Sequence, residues 1–169
     1  MHRLGARRQG GAAVSASRFD AVTLVPGAAA GAPLQLDEPL SFWGGLDSAA
    51  GTIIDRRHPQ WGANVAGRIL MMPAGRGSSG GSASLAEALR LGAGPAAILL
   101  LERDAIVIVG ALAAAELYGR ECPVALASKG DWEALAAAAR LVVRAEPGGA
   151  AISAELHAPD ARLVGRKLR

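Results

Sequence analysis

At 169 residues the chain can bury the core of one domain but is short for an enzyme that also carries its own substrate domain. Its apolar content of 51%, with only 4% aromatic residues, suits an α/β domain packed from Ala, Val, Leu and Ile. The single cysteine, Cys122, excludes an internal disulfide and any thiolate metal or cluster site built from this chain alone, and makes a reducing, cytoplasmic setting the default.

The formal charge of +3 sits at the ends. Arg3, Arg7, Arg8 and Arg18 precede the first acid, Asp20, and Arg162, Arg166, Lys167 and Arg169 crowd the C-terminus. These arginines lack interleaved aromatics and a basic helix face, so they read as solubilising tails rather than a nucleic-acid surface. No apolar run reaches the ~18–20 residues of a membrane span, and the first residues lack the apolar segment of a secretion signal. We therefore divide the chain into a flexible basic leader (1–18), one domain (19–158) and a basic tail (159–169).

Within the domain, residues 21–25 form a β-branched strand candidate closed by Pro26-Gly27, and the small-residue run 28–32 leads to an extended piece near 33–36. Phe42-Trp43-Gly44-Gly45, between Pro39 and Asp47, describes a packed turn in which the rings anchor and the glycines bend. A short strand over 51–55 precedes a polar loop over 56–64. In that loop His58 reads as a structural hydrogen-bonder unless the fold brings it to a serine, and Asp55 as a surface partner of Arg56 or Arg57.

Residues 68–72 are an apolar strand candidate ended by Pro73, and a helix over 84–91 is stopped by Gly92. The continuous apolar run 96–101 fits a strand buried on both faces. Residues 104–109 read as a second short strand or the approach to a helix over 110–117. A strand over 122–127 follows, then a helix over 132–140 capped by Asp131, a strand over 141–145, a turn at Pro147-Gly148-Gly149 and a last strand over 151–156. The front is β-rich and the rest alternates strand and helix. That order predicts an α/β fold in which a helix-flanked, partly parallel mixed sheet joins an antiparallel β layer.

The stretch with most chemical promise is Pro73-Ala74-Gly75-Arg76-Gly77-Ser78-Ser79-Gly80-Gly81-Ser82, between a strand and a helix. Glycines let backbone approach a ligand, serines add hydroxyls, and a helix N-terminus offers unpaired N–H groups to an anion or a developing negative charge. Arg76 adds a planar cation. One reading is a dinucleotide site: Gly75-x-Gly77-x-x-Gly80 satisfies the fingerprint, with Glu102 near the expected spacing of about 20 residues. A second is a non-catalytic module that holds a small anion or nucleotide at residues 75–82.

A third reading rests on resemblance. Pro39-Leu40-Ser41-Phe42-Trp43-Gly44-Gly45-x-Asp47, Gly51-x-Ile53-Ile54-Asp55-x-x-His58-Pro59, Ala66-Gly67-Arg68-Ile69-Leu70-Met71-Met72-Pro73 and Gly75-Arg76-Gly77-Ser78-Ser79-x-x-Ser82 together resemble the swivel domain of the aconitase X family. Ala93-Gly94-Pro95-Ala96-Ala97-Ile98 and Cys122-Pro123-Val124 extend the likeness, which spans about residues 20–145.

The resemblance implies the aconitase-like swivelling β/β/α fold and a role as the small subunit of a dehydratase. The large partner subunit would carry an iron or iron–sulfur centre, so that this chain alone binds no cofactor or metal. It implies a small substrate bearing carboxylate or phosphate: cis-3-hydroxy-L-proline, as in bacterial members, whose wording this sequence resembles more, or (R)-5-phosphomevalonate, as in archaeal ones. It maps the catalytic base onto Ser78. Around that serine Arg76, Gly77, Ser79 and Ser82 read as substrate-binding residues, Ser79 and Ser82 either as N-caps or as hydrogen-bonders to substrate, while His58, Asp55, Phe42, Trp43 and Cys122 read as structural or interface residues. Neither nucleic acid nor membrane is an expected partner.

Overall fold

A computed structural model describes residues 16–155 of the chain. Its elements are β1 (Ala16–Val25), β2 (Gly27–Gly31), β3 (Pro33–Gln35), a helical turn α1 (Phe42–Gly45), β4 (Leu46–Asp47), β5 (Thr52–Ile53), β6 (Ile69–Met72), α2 (Gly80–Arg90), β7 (Ala97–Leu100), α3 (Ala105–Tyr118), β8 (Val124–Leu126), α4 (Trp132–Ala136), β9 (Arg140–Glu146) and β10 (Gly149–Glu155). β4 and β5 form a two-stranded ribbon of their own, with Thr52 also bridging Asn64. The other eight strands form one mixed sheet in the order β2-β9-β10-β1-β8-β7-β6-β3.

The expected two-part architecture is present as two halves of this sheet. β3, β6, β7 and β8 are mutually parallel, and β1, β10, β9 and β2 are antiparallel. β1 serves both halves: residues 16–21 pair with β10, and residues 22–25 pair with β8 across a register shift between Thr23 and Val25. The outermost strands, β2 and β3, are separated in the chain by Ala32 alone, so the sheet curls until its edges meet in a near-barrel. Ala32 accepts the Ile69 N–H at 3.0 Å. Gly31 permits the closure, because a Cβ there would stand 2.6 Å from the Gly67 carbonyl oxygen.

Strand periodicity splits the apolar residues between two cores. Ile69 and Met71 of β6, with Ala97 and Leu99 of β7, face the barrel interior, where they meet Leu141, Val143 and Ile152 from the antiparallel half and Trp132 and Leu135 of α4. Leu70, Met72, Ile98 and Leu100 face the other way, onto Leu85 and Leu89 of α2 and Val107 and Ala111 of α3. β6 and β7 are therefore buried on both sides, which is why they read as unbroken apolar runs.

Four elements differ from expectation. α3 begins at Ala105, not near residue 110: Asp104 accepts the Val107 N–H at 2.9 Å, and burial of Val107, Gly110, Ala111 and Ala114 along one face overrides the β-branched run Ile106-Val107-Ile108-Val109. α4 ends at Ala136, because Ala139 must donate to Glu155 and Arg140 must pair with it in the sheet. The Ala/Gly run 27–31 is itself a strand, held by its ladder to β9. β1 starts at Ala16, inside the stretch assigned to the leader; the rest of that leader and the basic tail lie outside the described residues.

Gly31→Ala is expected to cost about 1–3 kcal/mol, because the added methyl meets backbone that cannot turn aside. A lower urea midpoint at unchanged slope would show it.

Candidate functional site

The serine loop begins where β6 runs out. Pro73 ends the strand, and its carbonyl accepts both the Leu101 and Glu102 N–H groups at 3.0 Å, so β6 and β7 finish together at one end of the parallel half. Carboxyl ends of parallel strands are where α/β sheets place ligands. The chain after β3 keeps β6 company past its end: the Leu36 N–H donates to Met71 at 2.7 Å, Leu40 pairs with Gly75 in a parallel bridge, and the Arg76 N–H donates to Leu40 at 3.3 Å. Two glycines make this approach possible. A Cβ on Gly75 would lie 2.9 Å from the Asp104 carboxylate, and one on Gly77, whose φ is +105°, would lie 2.5 Å from the Ser41 hydroxyl. Only glycine meets both demands at position 77.

Beyond Gly77 the loop is exposed through Ser78 and Ser79. Ser79 occupies the N-cap position of α2, but its side chain makes no capping bond. The Gly81 N–H donates to the Ser78 carbonyl at 2.9 Å and the Ser82 N–H to the Ser79 carbonyl at 3.2 Å. Gly81 is therefore committed to the loop's own turn. Among the described residues, the N–H groups of Gly77, Ser78 and Ser79 have no backbone partner, and they precede the positive end of the 11-residue α2. Ser82 stands apart from this cluster, its hydroxyl donating to the Ile106 carbonyl at 2.9 Å and tying α2 to α3.

Trp43 belongs to the site as well. The point where Gly80 would carry a Cβ is 3.1 Å from Trp43 Cδ1 and 3.4 Å from Ser78 Oγ, so indole and hydroxyl flank one glycine. Trp43 is 63% exposed while its neighbour Phe42 is buried in the core. The aromatic pair is thus divided, one ring anchoring α1 and the other lying open beside Ser78.

Arg76 is not a free cation. Its guanidinium lies 3.1 Å from Asp55 Oδ2 and 3.8 Å from Glu38 Oε2. Asp55 thus takes Arg76 rather than the side chain of Arg56 or Arg57; its other oxygen accepts the Arg57 backbone N–H at 3.0 Å, and Arg56 lies over the Trp61 ring at 5.9 Å. His58 is buried behind this group. Its Nδ1 accepts the Gln60 N–H at 3.1 Å, which assigns the ring proton to Nε2, donated to the Glu38 carbonyl at 3.2 Å. Both ring nitrogens are occupied in structural bonds.

Glu38, Ser41, Trp43 and Asp104 were not singled out as site residues from sequence. The usable signal was the pair Gly75 and Gly77, since closely spaced glycines after a strand announce that something packs on their α-carbons.

Cys122 lies at the opposite end of the parallel strands, where burial pushes its thiol up to about 12. One buried thiol cannot hold a cluster by itself, and among the described residues no group of three or more His, Cys, Asp or Glu is placed to hold a metal. These donors do not fit an iron or iron–sulfur centre. The dinucleotide reading also loses its physical basis. β6, β7 and β8 succeed one another in a single direction with α2 and α3 packed in one core, so no reversal of strand order opens the crevice such a cofactor needs, and the Asp104 carboxylate stands against the first glycine of the motif. No helix among the described residues is long and apolar enough to cross a membrane.

The profile of the aconitase X swivel domain matches residues 18–152. A cis-3-hydroxy-L-proline dehydratase from Pseudomonas aeruginosa is 50% identical over 103 residues, covering 61% of this chain but only 18% of that protein. The phosphomevalonate dehydratase small subunit of Methanothermobacter thermautotrophicus is 40% identical over 77 residues, 46% of this chain and 59% of that one. The crystal structure of Thermococcus kodakaraensis aconitase X in its holo-form superposes with a TM-score of 0.64 at 27% identity, over 80% of this chain and 98% of that one.

The loop geometry separates two substitutions. Gly77→Ala is expected to cost about 1–3 kcal/mol, from a strained φ and a clash with Ser41. Ser79→Ala, which removes a hydroxyl that caps nothing, is expected to stay within about 0.5 kcal/mol. Chemical denaturation of the two variants side by side checks both.

Proposed function

The chain belongs to the aconitase X swivel-domain family, and from that premise we propose that it works as the small subunit of a hydro-lyase, contributing Ser78 as the base to a site completed by a large subunit. The observation that carries this reading is the exposed Ser78 at the head of α2, with unpartnered backbone N–H groups on either side and Trp43 against the next glycine. We assign the iron or iron–sulfur centre to the large subunit. Of the two substrates named for relatives, cis-3-hydroxy-L-proline is favoured by the 50% identity to the Pseudomonas protein.

A dehydration removes a proton from carbon and expels hydroxide from the neighbouring carbon. A serine hydroxyl in water is too weakly acidic to be present as the alkoxide near neutral pH, so a serine base needs surroundings that favour the anion. The N–H groups of Gly77 and Ser79 and the dipole of α2 are preorganised donors at this position. They act strongly only where water is excluded, and here the loop is exposed; a large subunit closing over it would supply the low-dielectric surroundings. In this reading Ser78 Oγ takes the proton and Arg76 holds the carboxylate or phosphate of the substrate, with the Ser79 hydroxyl, which caps nothing, free to add a hydrogen bond to it. Gly77, expected from sequence to bind substrate, serves through the N–H it offers to Ser78. Ser82, assigned to substrate binding from its place in the motif, contributes through the link to Ile106 that orients the helix.

The test is co-expression with an aconitase X-type large subunit and an anaerobic assay on cis-3-hydroxy-L-proline and on phosphomevalonate. Turnover of the proline derivative requires both chains, and Ser78→Ala lowers kcat by about 10²–10⁴-fold in a complex of unchanged mass. Turnover retained in Ser78→Ala would show that the base lies elsewhere. No complex and no turnover, with a nucleotide or small anion bound by this chain alone, would favour the non-catalytic module.

A further inference from the structure

We propose that Asp55 is a positioning residue: with Glu38, and braced by His58, it holds the Arg76 guanidinium where it takes the anionic group of the substrate. The proposal rests on the reading of the 75–82 loop as a substrate site. Three observations support it.

The first is that Arg76 is fixed at both ends. Its backbone N–H is bonded to Leu40, and its guanidinium touches Asp55 and Glu38 from residues 21 and 38 positions away in the chain. The second is that the clamp is itself held from behind. One Asp55 oxygen is occupied by the Arg57 N–H, so the carboxylate cannot swing freely. The buried His58 joins the two acidic residues, its backbone N–H donating to the Asp55 carbonyl at 3.0 Å and its Nε2 to the Glu38 carbonyl at 3.2 Å. A histidine with little exposure and both ring nitrogens used is a substantial commitment for an ordinary surface ion pair, which would gain little stability.

The third is the arithmetic of donors. A guanidinium carries five N–H groups in a planar fork, and the two acids engage one terminal nitrogen each. Donors remain for a carboxylate or phosphate, and the acids stop a long, rotamer-rich side chain from wandering into solvent. Arg76 precedes Ser78 by two residues, across the glycine fixed under Ser41. The guanidinium and the base are thus set on one short, pinned piece of backbone.

The sign of one kinetic constant tests the proposal. If Asp55 acted only through its charge, removing a negative group beside Arg76 would improve binding of an anion and lower KM. If it were only structural, its loss would reduce the active fraction and the apparent kcat, with KM unchanged. A positioning role raises KM. In the assembled two-chain complex, Asp55→Asn is expected to raise KM about tenfold with kcat within about threefold, and Asp55→Glu, which restores the carboxylate on a longer arm, to recover most of that loss. A KM that falls or stays constant in Asp55→Asn, while the wild-type complex turns over, overturns the positioning role alone. A wild-type complex that turns over neither substrate overturns the proposed function, and this assignment with it.

Discussion

The pairing of Leu40 with Gly75 is the contact on which the rest of the site depends. It resumes the parallel β3–β6 pairing past the end of the sheet, one residue out of register, so that a loop rich in glycine and serine is bonded to a neighbouring segment instead of swaying in water. Conformational entropy makes such loops costly to order, at about 1–2 kcal/mol per residue of backbone. Here the cost is met by a short series of specific contacts: the Arg76 N–H on Leu40, Ser41 over Gly77, Asp104 against Gly75 and Trp43 against Gly80. The last three need a glycine on the loop side. The same composition that would make a floppy linker elsewhere gives a defined geometry when a second segment packs onto it.

Electrostatically the site is divided between two kinds of group. The backbone N–H groups of Gly77, Ser78 and Ser79 have no backbone partner among the described residues, while Arg76, the cation nearest in sequence, is paired with Asp55 and Glu38. On the proposed function, stabilisation of a serine anion falls to fixed dipoles, whose effect depends on the absence of water, and recognition of a substrate anion falls to a charge held in place. Both are incomplete in an exposed loop. That incompleteness, with a tryptophan lying open beside the serine, is what one expects of half a site.

Much of the fold was legible in the sequence where burial is two-sided. β6 and β7 appear as unbroken apolar runs because each contributes to both cores. The mixed sheet followed from the order of elements, and the family resemblance carried the swivel architecture. What escaped were elements whose local chemistry argues against their tertiary role: α3, with its Ile-Val-Ile-Val start, and β2, an Ala/Gly run that is a strand only because β9 lies beside it. The loop itself was visible from its composition. Its supports were not, since Glu38 and Asp55 reach Arg76 from distant parts of the chain and His58 acts through bonds to backbone that no spacing rule reveals. A lone histidine before a proline reads the same whether it braces a clamp or merely fills a turn.

The central claim, that Ser78 removes the proton from carbon, is tested most directly by isotope exchange. The assembled complex is incubated with unlabelled substrate in deuterium oxide, and deuterium entering the acidic C–H position of recovered substrate is followed by mass spectrometry. The account predicts exchange in the wild-type complex and none above background in Ser78→Ala, with the same two-chain assembly in both. Exchange that persists undiminished in Ser78→Ala would contradict it and move the base to another residue.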